Sequence, residues 1–427
     1  MLSQVESHLI QIEGEVKSNV VRNQLGKLVS KGHKTYTPTQ LVVDRAEGIW
    51  LWNLEGQKLM DFASGVLVAN LGHQHAYFEE RFAFYAKGLP RNAYNVLTAI
   101  EVEAASRLID SFASPKMEQI LWAACGSAGI IKAMWAAQRY HPDRHLILAT
   151  RYGFHGQKGL AGDVTGDKSQ NPNVRWIDFP MVKDVRDKPN QTLKVKVLEQ
   201  LNRLREEYPN QIAMLVTEPY LGAKGSYHPP DWYLRTINDW CNDHQVIFIL
   251  DEVQSCHGRT GEMYATTKYG LDPDLVVCGK GIGNGEPIVA VVGRADLLST
   301  FDYGEASDTF SGTPRGCAAA LATLDTFDTF PILDNCRQAG QVIEKGLCQL
   351  TDEFSFATRV RGEGLVWGLE LESDSIANQL VLACYQQGLH LIGPLAGNVL
   401  RVSPPLIISP TEAEVGIEWM RRALQQI

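Results

Sequence analysis

The stretch Ile247-Phe248-Ile249-Leu250-Asp251-Glu252-Val253-Gln254 decides how the chain is read. Four apolar residues with no polar alternation describe a strand buried on both faces, as parallel strands of α/β sheets are. The run ends abruptly in two carboxylates. In an open parallel sheet, ligands sit outside the carboxyl ends of the strands, and a carboxylate buried there is costly unless it meets a cation. The same acid also suits a helix N-cap or a solvated surface, so alone it leaves both readings open.

A second apolar run, Leu275-Val276-Val277-Cys278, ends in Gly279-Lys280-Gly281-Ile282-Gly283-Asn284-Gly285. Working outward, Gln119–Ala123, Leu146–Ala149 and Ile212–Val216 read as further strands, with helices such as 130–140 and 193–207 between them. That alternation predicts a mostly parallel sheet covered by helices on both faces. Residues 48–62 predict a hairpin, with Ile49-Trp50-Leu51-Trp52 and Lys58-Leu59-Met60-Asp61 joined through Asn53-Leu54-Glu55-Gly56. Residues 1–30 predict one or two amphipathic helices, on the spacing of Leu2, Val5, Leu9 and Ile12. Late elements are a helix over 316–330, strands near 365–371, 389–392 and 399–402, and a last helix. For that helix Ser409 serves as cap, Pro410 suits the first turn and Glu412 completes a capping box. The predicted organisation is an N-terminal segment 1–74, a large domain 75–315 and a C-terminal part 316–427. The two end segments combine into a smaller α+β domain.

The chain has 427 residues, 44% hydrophobic and 21% charged, which excludes disorder as its main state. A net charge of −9 argues against nucleic acid as a partner. No apolar run approaches the roughly 18 residues of a membrane helix, and the N-terminus lacks the early basic cluster of a secretory signal. The eight cysteines form no Cys-x-x-Cys pair. Their scatter favours reduced thiols in a cytoplasm, and their spacing gives no zinc site and no other metal site.

Four places carry chemistry. Asp251 is the strand-end acid. Lys280, flanked by glycines, has the character of a Schiff-base nucleophile whose reactivity desolvation would raise; a solvated lysine in a flexible turn is the other reading. The Gly279–Gly285 loop matches neither the dinucleotide fingerprint nor the P-loop. Cys125-Gly126-Ser127-Ala128 lies between a strand and a helix, where free N–H groups favour an anion, or where Ser127 is an ordinary cap. Gly153-Phe154-His155-Gly156 can present a flat ring, or pack Phe154 in the core. Taken together they suit one cofactor, pyridoxal phosphate: phosphate on the helix start, ring on Phe154, ring nitrogen on Asp251, aldehyde on Lys280.

At this point the sequence resembles the class III (ornithine/ω-type) aminotransferases of the fold-type I pyridoxal phosphate enzymes. The resemblance runs from about residue 35 to 427 and is carried by motifs in family order. They include Asp61-Phe62-Ala63-Ser64-Gly65, Asn70-Leu71-Gly72-His73, Gly153-Phe154-His155-Gly156, Glu218-Pro219, Asp251-Glu252-Val253-Gln254, Gly258-Arg259-Thr260-Gly261, Gly279-Lys280-Gly281, Ser307-Asp308-Thr309-Phe310-Ser311-Gly312, Val360-Arg361-Gly362 and Leu400-Arg401-Val402-Ser403-Pro404. It implies a mostly parallel seven-stranded sheet. It also implies a reaction moving an amino group from an amino acid or amine to a 2-oxo acid through a Schiff base on Lys280. By the same resemblance Asp251 partners the ring nitrogen, Val253 and Phe154 flank the ring, and His155 belongs to the cofactor site. Gln254 reaches the ring hydroxyl, Gly126 and Ser127 hold the phosphate, and Glu218 is a site-wall acid. Arg401 pairs with the substrate carboxylate. Thr309 contacts the phosphate of the neighbouring subunit, which implies a homodimer with shared active sites.

Several positions depart from the family pattern. Glu218-Pro219-Tyr220-Leu221-Gly222 is followed by Ala223 and Lys224, where glutamate-accepting members often carry an acid. Cys125, Ala128, Gly129, Glu286 and Thr313 also stand where other residues are usual. The expected reading is substrate tuning with the cofactor retained. Racemases, epimerases, aminomutases and decarboxylases share Lys280 and Asp251 on this scaffold, so the residues alone leave them open, as they do a non-catalytic relative.

Overall fold

The computed structural model describes residues 9–427 apart from 34, 36, 189–191 and 395. The expected hairpin is present. β1 (Val43–Glu47) pairs antiparallel with β2 (Trp50–Asn53), and β2 with β3 (Lys58–Asp61). Asn53 closes the turn: its Oδ1 accepts from the amides of Glu55 and Gln57 at 3.2 and 2.9 Å, the local bonding for which asparagine is favoured in turns.

The central sheet has seven strands: β4 (Gln119–Ala123), β5 (Leu146–Thr150), β6 (Val174–Ile177), β7 (Ile212–Thr217), β8 (Ile247–Asp251), β9 (Leu275–Cys278) and β10 (Val289–Gly293). Their order is β4-β10-β9-β8-β7-β5-β6. Only β10 is antiparallel, slotted between β4 and β9. The alternation of side chains explains the apolar runs. Ile247 and Ile249 face the helix Gly126–Tyr140 with its Ile130, Ala133 and Met134. Phe248 and Leu250 face the helices Thr192–Glu207 and Trp232–His244 through Leu201, Tyr233 and Ile237. Each such side chain, removed from water, contributes about 1.5–3 kcal/mol.

The C-terminal strands are β11 (Ala357–Glu363), β12 (Val366–Leu371), β13 (Leu389–His390) and β14 (Val399–Val402). β11, β12 and β14 form a three-stranded sheet, while β13 pairs parallel with β3. The N-terminal hairpin and the C-terminal elements share one core, in which Ile49, Met60 and Phe62 meet Leu389, Leu400 and Ile417. The last helix, Pro410–Leu424, has the expected capping box between Ser409 and Glu412.

The N-terminal expectation is corrected. Leu2 and Val5 lie outside the described residues. Leu9 and Ile12 precede the helix, which runs Val16–Leu28 and follows Gly14 at φ +83°. Its buried face is polar: Ser18, Arg22 and Gly26 are buried, with Arg22 2.6 Å from the Glu15 carboxylate. Val16, Val20 and Leu28 stay exposed. A distant carboxylate caps it, Glu55 Oε1 accepting from the amides of Lys17 and Ser18, so apolar spacing was not what placed the helix.

Candidate active site

Five parallel strands release their chains at one edge of the sheet. After β4 come Cys125, Gly126 and Ser127; after β5, Phe154 and His155; after β7, Glu218; β8 ends on Asp251; and β9 leads into Lys280. These residues, with Val253 and Gln254, line a single cavity of about 380 Å³. Gly126, Ser127, Phe154, His155, Glu218, Asp251, Val253, Gln254 and Lys280, all singled out from the sequence, are therefore brought together.

Asp251 is buried, and its Oδ2 lies 2.7 Å from Nδ1 of His155, whose ring is also buried. The other carboxylate oxygen accepts from the Val253 amide at 3.0 Å. Nε2 of His155 has no hydrogen-bond partner among the described residues. Thr165 steadies the same loop, its hydroxyl accepting from the His155 amide at 2.9 Å. Burial, the largest influence on Lys280, holds its amine below the usual lysine pKa; Asp251 and Glu218 oppose the shift and Arg401 adds to it. Burial likewise pushes the Glu218 carboxyl up to about 7, with the charge on Asp251 adding to the shift. Glu218 Oε1 accepts from the Phe154 amide at 2.9 Å. A carboxyl whose pKa is raised and an amine whose pKa is lowered thus share one cavity.

The cradle opposite is built from small residues. Cys125 is the N-cap of helix Gly126–Tyr140 and makes no side-chain cap, so the first N–H groups stay available to an anion. Gly156, at φ +142°, has a conformation suited to glycine, and a side chain there would collide with the Ser127 hydroxyl. A Cβ on Gly126 would press on Val253.

Pyridoxal phosphate makes specific demands, and these residues meet them. An uncapped helix start beside Ser127 suits its phosphate. Phe154 and Val253 offer apolar faces for a flat ring. Buried Asp251 suits a ring nitrogen, and Gln254 Oε1, buried without a partner among the described residues, suits a hydroxyl donor. The amine of Lys280 suits an aldehyde.

Arg401 and Thr309 stand apart from this lining. Arg401, on β14, is buried; its Nη2 donates to the Gly222 carbonyl at 2.5 Å, while Nε has no partner among the described residues. Gly222 is the link to the cavity, since a side chain there would collide with the Gln254 amide. Burial lowers the Arg401 guanidinium pKa, opposed by Tyr220 and Glu218. Thr309 is exposed, and its carbonyl accepts from Asn92 Nδ2 at 2.6 Å. Its neighbour Asp308 meets the buried Lys132 at 2.8 Å. The cavity also has liners outside the expected site residues: Val68 and Ile288, which carry no chemical signal in sequence, Glu286, visible only as a departure, and Cys125, which opens the anion-binding stretch read from the sequence.

A family model described as aminotransferase class III matches residues 31–424. The acetylornithine aminotransferase of Caldanaerobacter subterraneus subsp. tengcongensis is 28% identical over 395 residues, covering 92% of this chain and 97% of that protein. Among solved structures, an (S)-enantioselective omega-transaminase from Thermomicrobium roseum is 25% identical with a TM-score of 0.86, covering 96% of this chain and 98% of that one. An amine transaminase from an uncultivated Pseudomonas species, solved in its PLP-bound form, has the same fold at 24% identity and a TM-score of 0.84, covering 93% and 97%.

Proposed function

The chain belongs to the class III aminotransferases, and from that premise we propose which of its residues carry the reaction and how. It has the fold-type I architecture and is a pyridoxal phosphate enzyme that moves an amino group from an amino acid or amine to a 2-oxo acid. When bound, the cofactor supplies an aldehyde that condenses reversibly with amines and a ring that draws electrons from the carbon it activates.

The chain's own residues do the rest. Lys280, its amine held toward the neutral form by burial, acts as nucleophile and then carries the proton to and from the substrate carbon. Asp251 fixes negative charge where the ring nitrogen sits, and His155 orients that carboxylate across 2.7 Å. Gly126 and Ser127 bind the phosphate, Phe154 and Val253 enclose the ring, and Gln254 holds its hydroxyl. Glu218 supplies a carboxyl that titrates near neutrality on the wall beside Lys280. Arg401 takes the substrate carboxylate, for which its planar fork is suited. The observation that carries this reading is the convergence of Lys280, Asp251 and an uncapped helix start on one cavity.

We further assign the chain to a homodimer in which Thr309 serves the partner's phosphate site. Supporting this, Thr309 is exposed, its carbonyl held by Asn92; Tyr94 Oη lies 2.9 Å from Ser307 Oγ, and Tyr94, Leu97, Tyr303 and Phe310 in these two stretches are large apolar residues open to solvent. Such a patch marks an interaction surface. The proposed division is 1–74 with 316–427 as a small domain around 75–315, supported by the shared core of the two ends. A cytoplasmic location is supported by eight free cysteines; no helix among the described residues is long and apolar enough to cross a membrane.

The test is a set of half-reactions. With a donor alone, the loaded enzyme should lose its visible absorption band and release the matching oxo acid in stoichiometric amount. A band that persists while the donor is racemised or decarboxylated would contradict the proposal.

A further inference from the structure

The turn that carries Lys280 is fastened to a strained segment more than two hundred residues away. Lys280 has φ +46° and Asn284 φ +43°, left-handed conformations uncommon outside glycine. The Asn284 side chain brackets the segment Leu71-Gly72: its Oδ1 accepts from the Leu71 amide at 2.9 Å, and its Nδ2 donates to the Gly72 carbonyl at 3.3 Å. Next to Lys280, Gly281 leaves room for Asn70, and a side chain at 281 would collide with the Asn70 amide. Asn70 is held in turn, donating to the His257 carbonyl at 2.7 Å and accepting from Arg259 Nη2 at 2.6 Å.

The turn that leads into the gripped segment is itself unusual. Ser64, Gly65, Val66 and Leu67 have φ of +43°, +58°, +64° and +65°, one turn of left-handed helix, which L-residues disfavour. Asp61 Oδ1 accepts from the amides of Ala63 and Ser64, and Ser64 Oγ donates to the Ser403 carbonyl, two residues beyond Arg401. Strain of this kind persists only where surroundings over-determine it. Here the fastenings reach the Lys280 turn, the loop after Asp251 and the strand of Arg401, and Val68 follows directly into the cavity wall.

We propose that Asn284 and Asn70 are positioning residues for Lys280, holding its backbone against Leu71-Gly72 and so fixing the approach of its amine to the cavity. The inference rests on the role given to Lys280 under Proposed function. An asparagine that merely tolerated positive φ would be replaced without loss by glycine, which adopts the same backbone more easily.

Asn284→Gly, studied as the cofactor-loaded enzyme, separates the two. The expected result is a kcat lowered about tenfold to a hundredfold, as small misplacements of a reacting group produce. KM stays unchanged, one cofactor per chain is retained, and the pH midpoint of the visible band shifts. Asn284→Asp, which keeps the acceptor for the Leu71 amide, recovers most of the loss. Wild-type kcat and an unshifted band in Asn284→Gly overturn the proposal, as does a rise in KM alone or a loss confined to thermal stability. If Asn284→Gly does not fold, Asn70→Asp, which loses the donor to the His257 carbonyl, is held to the same readouts, with wild-type values overturning the proposal. A wild-type enzyme whose band does not depend on Lys280 defeats the role of Lys280 itself, a result distinct from normal variants with an intact band.

Discussion

Nδ1 of His155 lies 2.7 Å from Oδ2 of Asp251, and both side chains are buried at the carboxyl edge of the central sheet. The pairing joins the loop after β5 to the end of β8 and leaves the Asp251 carboxylate one oriented direction in which to meet a ring nitrogen. Asp251→Ala is expected to lower kcat by about 10²–10³-fold, the scale for losing one positioned charge at a reacting centre. His155→Phe should cost less, because the charge stays and only its orientation loosens. Steady-state kinetics on the loaded variants decide the matter, and near-normal turnover in Asp251→Ala removes its assigned role.

Glu218 gives the protein a pH signature. Burial raises its pKa from the ordinary 4.5 to about 7. A carboxyl whose folded value lies above its unfolded value stabilises the fold while protonated. That contribution is complete below the unfolded value and disappears as pH climbs through the folded one. Glu218→Gln stays neutral throughout. Its melting temperature should therefore gain on the wild type between about pH 5 and 8, and parallel profiles contradict the assignment.

Arg401 should discriminate substrates by their carboxylate. Hydrogen bonds to a charged group are worth about 1.5–3 kcal/mol, so Arg401→Ala should raise KM for amino acid donors about tenfold to a hundredfold. Arg401→Lys should rescue little, since an ammonium lacks the planar fork. KM for an amine without a carboxylate should barely move; an equal rise for both kinds of donor places the effect elsewhere.

Gly156 is the most sensitive point of the phosphate cradle. Alanine there must adopt φ +142° and collide with Ser127, at a cost of about 1–3 kcal/mol for the backbone alone. Gly156→Ala should fold with a lowered melting temperature and bind the cofactor at least about tenfold more weakly, measured by reconstitution of the apoenzyme. Unchanged cofactor affinity contradicts the placement of the phosphate.

The strand ends were legible because buried apolar runs and the polar residues that terminate them are local signals. Asp251, Lys280 and the Gly126-Ser127 helix start all follow this rule, and the capping box at Ser409 is a four-residue pattern. β10 was not read, since its five residues follow Pro287 within a few positions of the Lys280 turn and lack the spacing of a βαβ unit. Apolar spacing places the N-terminal helix on Leu2, Val5, Leu9 and Ile12, whereas Val16–Leu28 follows them in sequence and buries a polar face centred on Arg22, which apolar periodicity does not signal. The contact of Gly222 with both Gln254 and Arg401, and the grip of Asn284 on Leu71-Gly72, depend on chain segments brought together only by the fold. No local pattern announces them.

Borohydride reduction of the cofactor-loaded protein, followed by mass analysis of its peptides, reads which amine holds the cofactor. A Schiff base at Lys280 gives a pyridoxyl adduct on that residue, lost in Lys280→Ala. An adduct on any other lysine, or none at all, contradicts it.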